Sequence, residues 1–351
     1  MHRFIIAGYG TMGVRHAMNL RESGLGSIAG VYDPDPQRRL AAREAGLDAC
    51  DSLDALLEVE ADCAVVTTPN DLHRSVACRL LRSGRHVMVE KPAAMSCAEL
   101  AEIYDAADAG QRLFTVHQNR RWDRDFASIR RVIDESLLGR LTRLESRIHG
   151  SRGVPAGWRR ERCHGGGMLF DWGPHLVDQV LLAFDDLEPE ALCCRKEYVY
   201  HYEVEDGFRL TLFYPGGFSA LIEVSTCNYI AMPRFYLCGR DGTAIIDDWR
   251  EPCRVVQCTS WNDGAMARSA PGHTGVMAAR DEASMRSFTI APQPVERFEY
   301  LRNFCAAVRG EEALHVTRRQ AMRVMRVLEA AAVSADSGQP VKLGQEIGVG
   351  K

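Results

Sequence analysis

The stretch that decides the fold is Phe4-Ile5-Ile6-Ala7-Gly8-Tyr9-Gly10-Thr11-Met12-Gly13, close to the start of the chain. Its four apolar residues predict a short buried strand, and the glycines that follow have the spacing G-x-G-x-x-G. Apolar residues then recur at helical spacing, namely Val14, Ala17, Met18 and Leu20. The sequence therefore predicts a strand, a glycine turn and a helix, which is the arrangement that binds the pyrophosphate of a dinucleotide.

Each glycine of this motif has a separate physical role. Gly8 permits the tight turn, Gly10 lets the backbone approach a phosphate, and Gly13 allows the helix to pack closely on its strand. A second predicted strand, residues 27–32, ends at Asp33, about 20 residues past the motif, where an acid binds ribose hydroxyls. The alternative is that Asp33 only begins the turn of residues 33–36.

Asp33 also bears on the choice of nicotinamide cofactor. A carboxylate at this position repels the 2′-phosphate of NADP, so the sequence predicts NAD. Arg38 and Arg39 follow closely, and an arginine here either stacks on the adenine or binds a phosphate.

Strand and helix patterns alternate up to about residue 119, which predicts a doubly wound parallel sheet, that is, a Rossmann domain of residues 1–119. The buried strands end at Thr68-Pro69-Asn70, Glu90-Lys91-Pro92 and Gln118-Asn119. Ligands bind at the carboxyl ends of such strands, so we expect these segments to line one crevice. Lys91 directly follows a buried strand, where a merely solubilising charge is costly to place.

Residues 120–351 predict a second α/β domain with a large, mostly antiparallel open sheet. The predicted strands are 141–149, 193–204, 208–214, 218–226, 233–238 and 243–247, with hairpin turns at 214–217 and 239–242. Residues 151–162 predict a loop over the crevice, and residues 261–294 a long loop. Helices are expected over 295–309 and 317–337. An antiparallel sheet can leave one face open, so we expect a homo-oligomer, a dimer or tetramer, formed through that face.

A second informative stretch is Gly165-Gly166-Gly167-Met168-Leu169-Phe170-Asp171-Trp172-Gly173-Pro174-His175. Pro174 occupies the position where a first helical turn begins. Asp171 and His175 are expected near that helix start, within reach of each other, and the glycines let backbone approach a ligand. A carboxylate beside an imidazole is suited to proton transfer. The alternative is a capping aspartate and an ordinary histidine.

Composition narrows the function classes. The chain has 351 residues, which indicates two domains, and a formal net charge of −4, which argues against nucleic acid and anionic membranes as partners. No apolar run approaches the ~20 residues of a membrane span, and no secretory signal is recognisable. The twelve cysteines are scattered and predict reduced thiols in a cytoplasmic protein. Cys163-His164 lacks a second ligand pair, so no metal site is expected.

Taken together, these motifs resemble the glucose–fructose oxidoreductase/inositol dehydrogenase (Gfo/Idh/MocA) family over essentially the whole chain. The residues that carry the resemblance are the Gly8–Gly13 motif, Thr68-Pro69-Asn70 with His73, Glu90-Lys91-Pro92, Asn119-Arg120-Arg121-Trp122, Trp158-Arg159 and the Gly165–His175 stretch. The resemblance implies a nicotinamide-dependent oxidoreductase acting on sugars, cyclitols or their derivatives.

The resemblance also implies site residues. Lys91, Asp171 and His175 match the family's catalytic residues, and Trp158 and Arg159, with Asp171 and His175, are expected near the substrate. The cofactor-binding residues predicted from the motifs and the resemblance are Gly8, Tyr9, Gly10, Thr11, Met12, Gly13, Asp33, Arg38, Thr68, Pro69, Asn70, His73, Glu90, Lys91 and Asn119.

From these residues we expect His175 to act as general base and Lys91 to stabilise the alkoxide. Asp171 would orient His175 or bind a neighbouring hydroxyl, and the pKa of His175 is expected near neutrality. Two other functions stay open. One is oxidation of a glycoside ring hydroxyl to a keto-glycoside before elimination by a partner enzyme, and the other is a non-catalytic NAD-binding regulator.

Overall fold

The computed structural model describes residues 1–200, 202–261, 280 and 282–344, which form two sheets with their helices. The first sheet is wholly parallel, with the strand order β2-β1-β3-β4-β5. Its elements are β1 (His2–Ala7), α1 (Thr11–Ser23), β2 (Gly26–Tyr32), α2 (Pro36–Glu44), α3 (Leu53–Glu58), β3 (Cys63–Val66), α4 (His73–Arg82), β4 (His86–Val89), α5 (Cys97–Gly110) and β5 (Phe114–Val116). The predicted doubly wound parallel sheet is confirmed.

Local sequence explains where several of these helices begin. Ser52 and Ser96 cap α3 and α5 with their side chains, and Asp35 caps α2, which has Pro36 in its first turn. By contrast, α1 follows Gly10 and has no side-chain cap. The first backbone N–H groups of α1 therefore remain available to a ligand.

The second sheet has nine strands in the order β13-β12-β11-β10-β6-β9-β8-β7-β14, and it is antiparallel except for the pair β6 and β9. Its strands are β6 (Leu141–His149), β7 (Ala191–Glu197), β8 (Gly207–Phe213), β9 (Ser219–Ser225), β10 (Phe235–Gly239), β11 (Gly242–Ile246), β12 (Cys253–Cys258), β13 (Met285–Ile290) and β14 (Val341–Lys342). Its helices are α6 (Arg124–Asp134), α7 (Met168–Asp171), α8 (Gly173–Ala183), α9 (Glu299–Val308) and α10 (Arg318–Ser337).

One face of this sheet packs against α6, α8 and α10 in a continuous apolar core. The predicted hairpin turns are present, since Pro215–Gly217 connects β8 to β9 and Gly239 pairs with Gly242 between β10 and β11. The predicted second domain with a mostly antiparallel sheet is confirmed.

One strand prediction was wrong in extent. The strand expected over 193–204 ends at Glu197, where the buried Asp206 closes the connection between β7 and β8. Its backbone N–H donates to the Glu197 carbonyl, and its carboxylate accepts from the backbone N–H of Tyr200 at 2.7 Å.

The loop expected over 261–294 contains a strand that the sequence did not reveal. This strand is β13, and it pairs antiparallel with β12. Because β13 lies at the sheet edge and is largely exposed, its residues do not alternate clearly between apolar and polar. Residues 262–279 and 281 of the same prediction lie outside the described residues.

After the second sheet, the chain returns to the first. Helix α9 places Leu301, Phe304 and Cys305 in the same core as Phe4 of β1. Helix α10 packs against both sheets. Met325 lies in a core with residues of the first sheet, and Leu328 lies in the core of the second sheet. Helices α9 and α10 therefore help to hold the two sheets together.

Two further observations concern the whole described chain. None of its described helices is both long enough and apolar enough to span a bilayer. All twelve cysteines are free thiols, as predicted.

Candidate functional site

The site lies where Lys91, just past β4, meets the carboxyl end of α7. The Lys91 amine lies 2.9 Å from Asp171 Oδ1 and also donates to the backbone carbonyl of Asp171. Both side chains are largely buried, at 13% and 16% exposed. Two segments that are 80 residues apart in sequence therefore converge at the carboxyl edge of the parallel sheet.

The glycines before α7 explain how the chain reaches this position. A Cβ on Gly166 would lie 2.4 Å from the Arg159 carbonyl oxygen, and one on Gly167, whose φ is +99°, would lie 2.4 Å from Glu205 Oε1. The Glu205 carboxylate accepts from the backbone N–H of Leu169 at 2.9 Å. These glycines make room for protein groups, rather than for the ligand that the sequence led us to expect.

The Asp171 carboxylate is held by two cations. Besides Lys91, Arg159 Nε lies 3.5 Å from Asp171 Oδ1, and the Arg159 guanidinium stacks on Trp158, 4.6 Å from its ring centroid. Burial would raise the pKa of Asp171, but the charges of Lys91 and Arg159 outweigh it and lower that pKa. Among the described residues Asp171 forms no ion pair with His175, so the first of its two expected roles, orienting His175, is not observed. Its binding of a neighbouring hydroxyl stays a prediction.

His175 lies in the first turn of α8, after Pro174, and is 8% exposed. Its Nδ1 atom is buried without a hydrogen-bond partner among the described residues. Burial, followed by the charges of Lys91 and Arg120, lowers the pKa of His175 well below the ordinary value of 6.5. The pKa near neutrality that we expected was wrong, and the imidazole is neutral at pH 7, with a lone pair able to accept a proton.

Arg120 is a site residue to which sequence reasoning gave no role. Its guanidinium lies between two indole rings, 4.4 Å from the Trp172 centroid and 5.0 Å from the Trp249 centroid, and it donates to Asp123 at 2.8 Å. The Trp172 ring in turn lies 6.1 Å from that of His175. Trp249 lies in the second sheet's loops, far along the chain, so no local pattern signals this contact.

The glycine motif has the geometry that close approach requires. Gly8 has φ +96°, and a Cβ on Gly13 would lie 2.2 Å from the Gly8 carbonyl oxygen. Thr11 and Met12 form the uncapped start of α1. The Tyr9 side chain, in contrast, is buried in the core, so Tyr9 offers this crevice its backbone rather than its ring.

Asp33 organises the turn next to the motif. Its carboxylate accepts from the backbone N–H groups of Tyr9 at 2.7 Å and Asp35 at 2.9 Å. Arg38 Nη1 lies 3.4 Å from the same carboxylate and close to Gly10. Asp33 therefore holds the turn, as the alternative interpretation expected, and its binding of ribose hydroxyls stays a prediction.

Of the predicted residues after β3, one holds backbone segments of the first domain together and one contacts the second domain. His73 is buried, and its ring nitrogens lie 2.7 Å from the Pro92 carbonyl and 2.9 Å from the Thr68 carbonyl. Asn70, which follows Pro69, donates to the Gly165 carbonyl at 2.9 Å. His73 thus holds neighbouring backbone segments together.

Glu90 is the centre of a buried cluster that the sequence did not reveal. Its Oε1 atom lies 2.8 Å from His16 Nε2, on α1, and 2.8 Å from His117 Nδ1, just past β5. The His117 ring packs on Tyr300 of α9, with centroids 4.3 Å apart. Burial would raise the pKa of Glu90, but the two imidazoles outweigh it and lower that pKa well below its usual range. An ionised carboxylate therefore lies directly before Lys91.

These features fit a dinucleotide. The start of α1 offers uncapped N–H groups to a pyrophosphate, and Thr68 Oγ1 and Gln118 Oε1 are buried at the same edge without partners among the described residues. Asn119 begins the helical turn that follows. Polar groups in such a position are normally satisfied by a ligand or water.

Comparison with known proteins agrees with this geometry. Residues 2–118 match the model of an oxidoreductase family described as NAD-binding with a Rossmann fold, and residues 126–245 match the model of the GFO/IDH/MocA C-terminal domain. Among solved structures, an NAD-binding protein from Listeria innocua is 33% identical, with a TM-score of 0.88, and the match covers 97% of this chain and 96% of that one.

Two named relatives act on inositols. The scyllo-inositol 2-dehydrogenase (NADP(+)) IolW of Bacillus subtilis is 28% identical over 287 residues, which is 80% of this chain and 79% of that protein. The inositol 2-dehydrogenase of Rhodococcus jostii is 28% identical over 189 residues, 52% of this chain and 50% of that protein.

The Glu90 cluster yields a stability prediction. At pH 8, Glu90→Gln should lower the free energy of unfolding by about 3 kcal/mol, because an amide accepts from one imidazole and presents its own N–H groups to the other. Glu102→Gln is the matched control, since Glu102 pairs with Arg74 at the surface and its loss should cost less than about 1 kcal/mol. Urea unfolding measures both, and equal losses would contradict the cluster's role.

Proposed function

The chain belongs to the GFO/IDH/MocA family of NAD-binding oxidoreductases, and we propose that it is a dehydrogenase of sugars, cyclitols or their derivatives. The reaction is hydride transfer between a secondary alcohol and a nicotinamide. The observation that carries this proposal is the Lys91 amine held 2.9 Å from Asp171 at the carboxyl edge of the parallel sheet, with the neutral His175 on the next helix.

Oxidation of a secondary alcohol removes a hydride from carbon and a proton from oxygen. When bound, the nicotinamide supplies the hydride chemistry. This chain must therefore accept the proton and orient the substrate. His175 is the proposed general base, because its depressed pKa leaves it unprotonated and its Nδ1 has no partner among the described residues.

Lys91 is the proposed stabiliser of the alkoxide. Its ammonium donates to Asp171 through the side chain and the backbone, so two of its three N–H groups are directed and one remains for substrate oxygen. Arg159 binds the same Asp171 carboxylate and so helps to fix the position of the group that Lys91 contacts. In this proposal Asp171 positions Lys91, and Trp158 and Arg159 border the substrate.

For the cofactor we propose NAD. The support is the Asp33 carboxylate at the end of β2, where it repels a 2′-phosphate. Arg38, beside Asp33, offsets part of that repulsion. The twelve free thiols support a reducing compartment, so we place the protein in the cytoplasm.

The proposed oligomer uses the face of the second sheet that none of the described helices covers. That face carries a continuous network of ion pairs, in which Glu223 bonds Arg147 at 3.1 Å and Arg209 at 3.2 Å. Leu221 lies on the same face of β9, opposite Glu145 of β6. A partly apolar open face suits a second copy of the chain.

Light scattering tests this association. The expected mass is two or four times 39.1 kDa, and Leu221→Glu should reduce it to one chain by placing an unpaired charge in the contact. Val333→Glu, on the exposed side of α10, is the control and should leave the mass unchanged. A wild-type mass of one chain would overturn the proposed oligomer.

A substrate panel tests the activity itself. Inositols, free sugars and aryl glycosides are incubated with NAD or NADP, and the absorbance of reduced nicotinamide is followed. We expect turnover of at least one polyol or sugar, faster with NAD. Turnover of glycosides alone would favour keto-glycoside formation, and none on the whole panel would favour the regulator.

Two variants test the residue roles on any substrate found. His175→Asn should lower kcat by about 10²- to 10⁴-fold through loss of the base, and Lys91→Met by about 10²- to 10³-fold through loss of the alkoxide's donor. His315→Asn and Lys342→Met make the same changes at exposed positions outside the site. Full activity of His175→Asn or Lys91→Met would refute the corresponding role.

The pH dependence of kcat/KM follows from the lowered pKa of His175. The base must be unprotonated, so activity rises with pH through that pKa and is lost below it. Because the pKa is lowered, the rise should be complete before pH 6.5, the ordinary histidine value. A rise centred above pH 6.5 would show that His175 is not the base, or that its environment differs from the one described.

A further inference from the structure

A cluster of three potential metal ligands lies in the loop before the glycines. Glu161, Cys163 and His164 each offer one ligand atom, and these atoms all lie within 4.8 Å of one another. The Glu161 Oε2 and His164 Nε2 atoms are 3.5 Å apart. This cluster is separate from the Lys91 and Asp171 contact.

The distances distinguish this cluster from the other group of similar composition, His16, Glu90 and His117. In that group both nitrogens lie 2.8 Å from one oxygen, the separation of a direct N–H···O hydrogen bond. Ligands arranged tetrahedrally around an ion at about 2.0–2.3 Å lie about 3.3–3.8 Å apart. The 3.5 Å separation of Glu161 Oε2 and His164 Nε2 falls within that range.

The neighbouring arginines do not occupy the cluster. Arg159 is bound to Asp171, Arg160 donates to the Val154 carbonyl, and Arg162 donates to the Glu203 carbonyl. Cys163 is also the only exposed cysteine of the twelve, all of which are described. A cation from solvent can therefore reach the thiol without displacing a salt bridge of these arginines.

The imidazole of His164 has a carboxylate on its far side. Asp71 Oδ1, from the first domain, lies 3.0 Å from His164 Nδ1, although the two atoms are not aligned as a hydrogen bond. Histidines that bind metal through one nitrogen usually donate the other N–H to a carboxylate. Next to this contact, Asn70 donates to the Gly165 carbonyl, so the cluster lies at the junction of the two domains.

We infer that Glu161, Cys163 and His164 bind a thiophilic divalent cation, best Zn²⁺, with Asp71 orienting His164 across the domain junction. One thiolate, one imidazole and one carboxylate are ligands that Zn²⁺ accepts, and water completes the tetrahedron. Binding replaces the thiol proton of Cys163 by the ion and releases that proton to solvent. This inference reverses the expectation from the sequence that Cys163-His164 holds no metal. That expectation missed Asp71, which is distant along the chain, and Glu161, which is not part of a zinc-spaced pair.

Titration of the full-length, chelator-treated protein with Co²⁺ and Zn²⁺ tests this inference without any substrate. One equivalent of Co²⁺ should give the near-ultraviolet sulfur-to-cobalt absorption band, and Zn²⁺ should abolish the band by displacement. Zn²⁺ should also raise the thermal midpoint, since it binds the folded chain. A wild-type protein without the band would overturn the inference.

Four variants make the test specific. Cys163→Ser should remove the band, His164→Ala should weaken binding by at least tenfold, and Asp71→Asn should weaken it by about 10- to 100-fold. Cys193→Ser, on β7, is the matched thiol control and should behave as wild type. A band that survives Cys163→Ser would place the ion at another cysteine and refute the site, and unchanged affinity in Asp71→Asn would refute the contribution of the first domain.

Discussion

The structure depends on one buried electrostatic contact, between the ammonium of Lys91 and the carboxylate and backbone carbonyl of Asp171. It joins the end of the parallel sheet to a helix of the second domain. Burying either charge alone would cost free energy through loss of hydration, and the attraction between the two charges offsets that cost. The contact also fixes the positive charge that lowers the pKa of His175. The same pair therefore contributes to the junction between the domains and to the electrostatics of the site.

A second buried charge, the Glu90 carboxylate, lies next to this contact. Glu90 is ionised between His16 and His117, so a negative charge lies next to Lys91 on the chain. Its charge acts on His175 in the opposite direction to that of Lys91. The basicity of His175 is therefore a balance of burial and of charges from both domains, rather than a property of its own helix.

Sequence patterns predicted the fold well because most helices and strands carry a signal in their own local sequence. The glycine motif, the strand–helix alternation and Pro174 each identified an element that the structure contains. The edge strand β13 was missed because its exposure removes the alternation on which such predictions depend. Its neighbour β12 was missed as well, although its residues alternate in burial. In the site, the sequence identified which residues meet but not how they pair. Asp171 binds Lys91 instead of His175, and Trp249 reaches Arg120 by tertiary contact alone.

The measurement that most directly tests this account is the pKa of His175, determined by NMR titration of histidine-labelled protein, in the wild type and in Lys91→Met. The Lys91 charge across the crevice predicts a wild-type pKa well below 6.5 and a clearly higher one in the variant. The same pKa in both proteins would contradict the account, because it would show that the two segments do not interact electrostatically as described.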